Sequence, residues 1–168
     1  MKKNLVLTGM MGSGKSTIGK LLSKKLKMQF VDIDNIIEKK HFLSIAQLFE
    51  TKGEKFFREI EEKESIKFAE KKGLIIALGG GAFMNKNIRN NLKKSSFTIW
   101  LHLNSSELFK RTKESKKRPL LNNGSEEDLR KLYEERKKVY SLTDCKINCN
   151  SKNKDEIVEE IKKIYEGK

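Results

Sequence analysis

The sequence holds one proline, two cysteines, two histidines and one tryptophan, and its apolar residues never run long. A membrane-crossing helix needs about 18–20 apolar residues in succession, and charges recur too often here for that. Two cysteines with no second pair and no neighbouring histidine do not make a zinc site. Cys145 and Cys149 are expected as reduced strand residues, because cytosolic chains rarely keep disulfides. His41 and His102 stand alone, and neither is assigned a catalytic role. No stretch rich in Pro, Gly or Ser separates two segments, and no internal repeat is visible. A single domain over 1–168 is expected, large enough to bury a real core. The lysines at the start lead directly into an apolar strand, so no cleavable leader is expected and the chain reads as cytoplasmic.

Arginine is scarce too. The chain carries 31 lysines but only six arginines, against 23 acidic residues, for a net charge of +14. Such a charge suits nucleic acid, a membrane surface or small anions. The lysines, however, come as pairs spread along the whole length, such as Lys24-Lys25, Lys71-Lys72 and Lys137-Lys138, which fits solvated helix faces. Aromatic residues are few and not interleaved with arginine, which argues against RNA. No nucleic acid, no membrane and no second subunit is expected as a partner. Where lysine is the default cation, an arginine points to a need for its planar fork. The six are Arg58, Arg89, Arg111, Arg118, Arg130 and Arg136.

What is present begins with Gly9-Met10-Met11-Gly12-Ser13-Gly14-Lys15-Ser16. Two glycines bracket four residues, then Lys and Ser follow: the P-loop pattern. Its glycines let backbone N–H groups turn toward phosphate oxygens. Lys15 can reach the β- and γ-phosphates, and the Ser16 hydroxyl can hold Mg²⁺. The flanks agree. Leu5-Val6-Leu7 reads as a strand buried on both faces. Ile18, Leu21, Leu22 and Leu26 share one face of a following helix. That order aims a helix N-terminus at an anion.

Strands and helices then alternate. Strands are predicted over 4–7, 30–33, 74–78, 97–103 and 146–149. Helices are predicted over 15–27, 35–40, 44–51, 54–72, 85–94, 105–114, 125–141 and 154–166. Ser44 with Gln47 forms a capping box. The alternation implies an α/β layered fold with a parallel sheet. The segment about 112–124 is polar and aperiodic and holds Pro119. A mobile lid over a phosphate site is the natural reading of such a loop.

Ligands of an open parallel sheet bind outside the carboxyl ends of its strands. The first predicted strand ends in the P-loop. The second ends Val31-Asp32-Ile33-Asp34, whose carboxylates, two residues apart, share one face of a strand. One acid could support Mg²⁺ through water, and the other could orient and deprotonate a substrate hydroxyl. Capping of the next helix is the plainer alternative. The third strand ends Gly79-Gly80-Gly81, where a ligand can approach the backbone closely. Arg58 and Glu61 are i, i+3 neighbours on a helix. They form either an ordinary helix pair or a carboxylate grip steadied by Glu61. Arg118, held extended by Pro119, could stabilise a phosphoryl group in transfer.

Taken together these segments resemble the shikimate kinase family. The resemblance rests on Gly9 to Thr17, on Asp32-Ile33-Asp34, on Phe57-Arg58-Glu59-Ile60-Glu61 and on Gly79-Gly80-Gly81, in family order and spacing. Arg118-Pro119-Leu120-Leu121 falls in the lid, and Arg136 stands where the family has a second substrate-binding arginine. The resemblance implies a three-layer P-loop kinase fold with a five-stranded parallel sheet of order 2-3-1-4-5. It implies substrate-binding helices at about 33–61. It implies ATP-dependent phosphorylation of the 3-hydroxyl of shikimate, within aromatic amino-acid biosynthesis. Carried over by position, Gly12, Ser13, Gly14, Lys15, Ser16, Thr17, Arg111 and Arg118 would bind ATP. Asp34, Arg58, Glu61, Gly79, Gly80, Gly81 and Arg136 would bind shikimate. Lys15, Asp34 and Arg118 would be catalytic, with Mg²⁺ at Ser16 and, through water, Asp32. Arg89 and Arg130 receive no role. A gluconate or nucleoside monophosphate kinase is the alternative within enzymes, and a basic nucleotide-binding module without kinase activity is the alternative outside them.

Overall fold

A computed structural model describes residues 3–113 and 125–167. Five strands alternate with helices: β1 (Asn4–Thr8), α1 (Lys15–Leu26), β2 (Gln29–Asp32), α2 (Ile33–His41), α3 (Ile45–Ala69) and β3 (Leu74–Ala77). A 3₁₀ turn (Ala82–Met84) follows, then α4 (Lys86–Ser95), β4 (Ser96–His102), α5 (Ser105–Lys113), α6 (Glu126–Tyr140), β5 (Cys145–Asn148) and α7 (Lys154–Glu166). The sheet is parallel throughout, in the order β2-β3-β1-β4-β5. Leu5 faces Ile75 on one side and Phe97 on the other. β1 is buried along its whole length, as a central strand with both faces covered must be. Each fully buried Leu, Val or Ile there contributes roughly 1.5–3 kcal/mol.

Asn4 is the polar exception inside this core. Its Nδ2 donates to the Ala69 and Lys71 carbonyls at 3.0 and 2.6 Å, and its Oδ1 accepts from Leu74 N–H at 3.0 Å. One side chain thus fixes the turn that passes α3 into β3. Among the described residues no helix is long and apolar enough to cross a membrane.

Two boundaries differ from the sequence expectation in ways that bear on function. The predicted strand 30–33 stops at Asp32, and Ile33 and Asp34 belong to the first turn of α2. Asp32 caps that helix, its carboxylate accepting from Asn35 N–H at 3.3 Å. The two acids therefore do not share a strand face, because a capping aspartate ends the strand before period-two geometry applies. The helices expected over 44–51 and 54–72 run together as α3 but are kinked at Gly53, where φ is 81° and ψ 164°. The glycine supplies the left-handed conformation that the bend requires. The capping box at Ser44 and Gln47 is present, with bonds of 2.8 and 3.2 Å. The end of α3 falls three residues short of the expected 72, and other edges move by a residue or two.

Candidate active site

The carboxyl ends of β1, β2 and β3 open into one cavity of about 420 Å³. The P-loop forms its floor. Gly9, at φ 138°, leaves no room for a side chain: a Cβ there would lie 2.7 Å from the Leu101 carbonyl. Gly14 is left-handed and precedes α1 as an N-cap without a side-chain cap bond. The N-terminus of α1 is thus left open toward the cavity, as an anion site requires. Lys15 Nζ folds over the loop and donates to the Gly9 and Met10 carbonyls at 2.8 and 2.9 Å. Gly12, Gly14, Lys15, Ser16 and Thr17 line the cavity. Ser13 does not; it packs beneath the loop, buried, with its N–H bonded to the Met10 carbonyl at 3.2 Å.

The Ser16 hydroxyl donates to Asp32 at 2.5 Å. One Asp32 oxygen caps α2 and the other meets Ser16, so capping and ion binding need not exclude each other. Asp34 sits one residue into α2, half-buried, with its Oδ1 shut off from solvent and lacking any partner among the described residues. Burial lifts its carboxyl from 3.8 to about 7, with help from the negative charges of Glu61 and Asp32 and against the pull of Lys15. Glu61 is also raised, by burial, although Arg58 and Arg136 draw it down.

Arg58 and Glu61 form an ion pair, Nη1 to Oε2, at 2.7 Å, and Glu54 holds the same guanidinium at 3.2 Å. The rings of Phe57 and Phe49 flank it at 5.3 and 5.9 Å. The pair is intrahelical, yet it is not a surface pair: the Glu61 side chain is 2% exposed and both residues line the cavity. Arg136, on α6, is buried, and its Nη1 has no partner among the described residues.

The glycines after β3 explain how these groups come so close. A Cβ on Gly79 would lie 2.5 Å from Glu61 Oε1 and 2.7 Å from Asp34 Oδ1. A Cβ on Gly81 would lie 2.5 Å from Arg58 Nη1, and one on Gly80 would lie 3.7 Å from Arg136 Nη1. The platform is thus wedged between both carboxyls and both arginines. Among the described residues, the N–H groups of Gly79, Gly80 and Gly81 donate to no protein acceptor. The three glycines, an unpartnered Arg136 nitrogen and an unpartnered Asp34 oxygen thus lie at the wall of one cavity.

Arg111 lines the cavity from α5 and pairs with Glu107 at 3.0 Å. Arg118 and most of the proposed lid lie outside the described residues. His102 bonds the Tyr133 hydroxyl at 2.8 Å and does not line the cavity, nor does His41. Arg89 donates to the carbonyls of Phe83 and Met84 at 2.7 and 2.8 Å, so it secures the turn that follows the glycines. Arg130 makes an exposed pair with Glu127. Met10 packs in the core, while Met11 lines the cavity. Sequence reasoning missed Glu38, Ile45 and Phe49 on the cavity wall. Only the phenylalanines crowded around Arg58 in the sequence could have hinted at the last of these.

Comparison with known proteins agrees with this geometry. The sequence model of the family described as shikimate kinase matches residues 11–166. A shikimate kinase of Sulfurihydrogenibium sp. is 45% identical over 159 residues, covering 95% of each chain. The structure of shikimate kinase from Acinetobacter baumannii in complex with shikimate superposes with a TM-score of 0.94 at 31% identity, covering 99% of this chain and 94% of that one. Shikimate kinase from Aquifex aeolicus superposes at 0.86 with 39% identity, covering 98% and 96%.

Proposed function

The chain belongs to the shikimate kinase family, and on that premise we propose that it transfers the γ-phosphoryl group of ATP to the 3-hydroxyl of shikimate. The products are shikimate 3-phosphate and ADP, in the pathway to the aromatic amino acids. The observation that carries the reading is the one cavity whose lining brings the P-loop together with Asp34, Arg58, Arg136 and Gly79, Gly80 and Gly81. Half of it suits phosphates and half suits a small hydroxylated acid.

ATP takes the loop side. Gly12, Gly14, Ser16 and Thr17 surround the phosphates, with Ser13 supporting the loop from below. Lys15 leaves its two carbonyls for the β- and γ-phosphate oxygens. Arg111 lies toward the adenine, and Arg118 enters from the lid. Ser16 and, through water, Asp32 would hold Mg²⁺. Their adjacent oxygens suit a hard cation that retains most of its water, and no larger acidic cluster is needed. When bound, the ion neutralises charge on the transferring phosphates.

Shikimate takes the other side. Arg58 and Arg136 clamp its carboxylate, with Glu61 holding Arg58 in place. The Gly79, Gly80 and Gly81 N–H groups meet substrate oxygens. Asp34 orients the 3-hydroxyl and accepts its proton. A carboxyl near 7 is well matched to that role at neutral pH. In a loose phosphoryl transfer the orientation contributes more than the proton removal. One cytoplasmic chain, a single domain over 1–168, is the working unit.

ADP release measured across shikimate, gluconate and nucleoside monophosphates tests this. Turnover with shikimate alone is expected. No turnover with shikimate, or faster turnover of another acceptor, would overturn the reading.

A further inference from the structure

Tyr140 ends α6 one helical turn after Arg136, so the two side chains lie on the same face. Its ring is fully buried and stacks on Trp100, with centroids 5.7 Å apart and planes at 29°. Its hydroxyl donates to the Gly80 carbonyl at 2.5 Å and reaches the Met10 sulfur at 3.8 Å. One group thus touches the P-loop and the glycine platform together. Burial holds the phenol up at about 12, so it remains a donor throughout the physiological range.

The bond falls on a peptide that matters. No cis peptide occurs among the described residues. In a trans peptide the carbonyl and the next N–H point in opposite directions. A hydroxyl that holds the Gly80 carbonyl toward α6 therefore turns the Gly81 N–H away from α6. Arg58 lies against Gly81, its Nη1 only 2.5 Å from where a Cβ would stand. Packing alone would not call for the hydroxyl, since phenylalanine fills the same space and keeps the stack.

We propose that Tyr140 is a positioning residue for the acceptor half of the cavity: its hydroxyl fixes the Gly80–Gly81 peptide so that the Gly81 N–H faces the substrate, and ties α6, with Arg136, to that peptide. The effect falls on the acid and not on the nucleotide, a statement that rests on the shikimate-binding role given above.

Y140F removes the hydroxyl, with its bond to the Gly80 carbonyl and its interaction with Arg136, and keeps the ring. Kinetics of wild type and variant, with shikimate and ATP varied separately, give the test. The KM for shikimate should rise about tenfold, roughly what one ordinary hydrogen bond supplies. The KM for ATP should stay within about twofold, a change too small to reflect a lost hydrogen bond. Fluorescence of Trp100, the single tryptophan, should show the stack intact. An unchanged KM for shikimate, an equal rise in both KM values, or a Y140F protein that does not fold would overturn the proposal in favour of a packing role. Wild type that fails to turn over shikimate would instead sink the functional reading, and this assignment with it.

Discussion

Replacing Asp34 with asparagine should stabilise the ligand-free protein, and by an amount that depends on pH. The folded-state carboxyl lies at about 7 against 3.8 for an ordinary aspartate, chiefly because it is buried. The folded protein therefore binds this proton more tightly than the unfolded chain does. That contribution to stability is fully present below about pH 4 and is lost as pH rises through about 7. At about 1.4 kcal/mol per pH unit, the difference approaches about 4 kcal/mol in alkaline solution. The repulsion from Glu61 and the attraction of Lys15 are both contained in that shift, so about 4 kcal/mol is the expected advantage at pH 8. Urea unfolding of both proteins without ligand, at about pH 5 and pH 8, measures it. The advantage of D34N should be about 1.7 kcal/mol at the lower pH and more than twice that at the higher. A gap that does not change with pH, or a variant that loses stability as pH rises, would refute the raised carboxyl at Asp34. The same variant should turn over about 10²–10⁴-fold more slowly, the usual range for a lost acid–base group.

The remaining predictions concern the two halves of the cavity. R58K keeps the charge but loses the bidentate fork, so the KM for shikimate should rise about 10–100-fold while that for ATP holds; equal losses for both ligands would contradict the assignment. G79A places a methyl group 2.5 Å from Glu61 and 2.7 Å from Asp34. Overpacking of that kind costs about 1–3 kcal/mol, and titration calorimetry should show weakened shikimate binding with nucleotide binding intact. R118A should lower kcat by roughly 10³-fold or more if that arginine meets the transferring phosphoryl group; an unchanged kcat would return it to the surface.

Much of this was legible in the sequence because the signals were local. The P-loop is a contiguous pattern, and strand–helix alternation follows from short apolar runs between amphipathic stretches. The order of the sheet and the pairing of Arg58 with Arg136 came from the family resemblance, since periodicity says nothing about which strands become neighbours. Asp32 and Asp34 show the limit of pattern reading. Both reach the cavity, but the period-two argument for why was wrong, because a capping side chain ended the strand first. Arginine scarcity was a partial guide. Arg58, Arg111 and Arg136 line the cavity, whereas Arg89 serves two backbone carbonyls and Arg130 the surface. Tyr140 was invisible because its partner is remote, a carbonyl 60 residues away, whereas Phe49 meets Phe57 and Arg58 within its own helix across the Gly53 kink, which helical periodicity does not anticipate.

A crystal structure with shikimate, Mg²⁺ and a non-hydrolysable ATP analogue tests the central claim most directly. The shikimate carboxylate should lie between Arg58 and Arg136, with the 3-hydroxyl at Asp34 and facing the γ-phosphate above Lys15. A carboxylate bound away from both arginines, or a hydroxyl other than the 3-position facing the phosphate, would contradict the account.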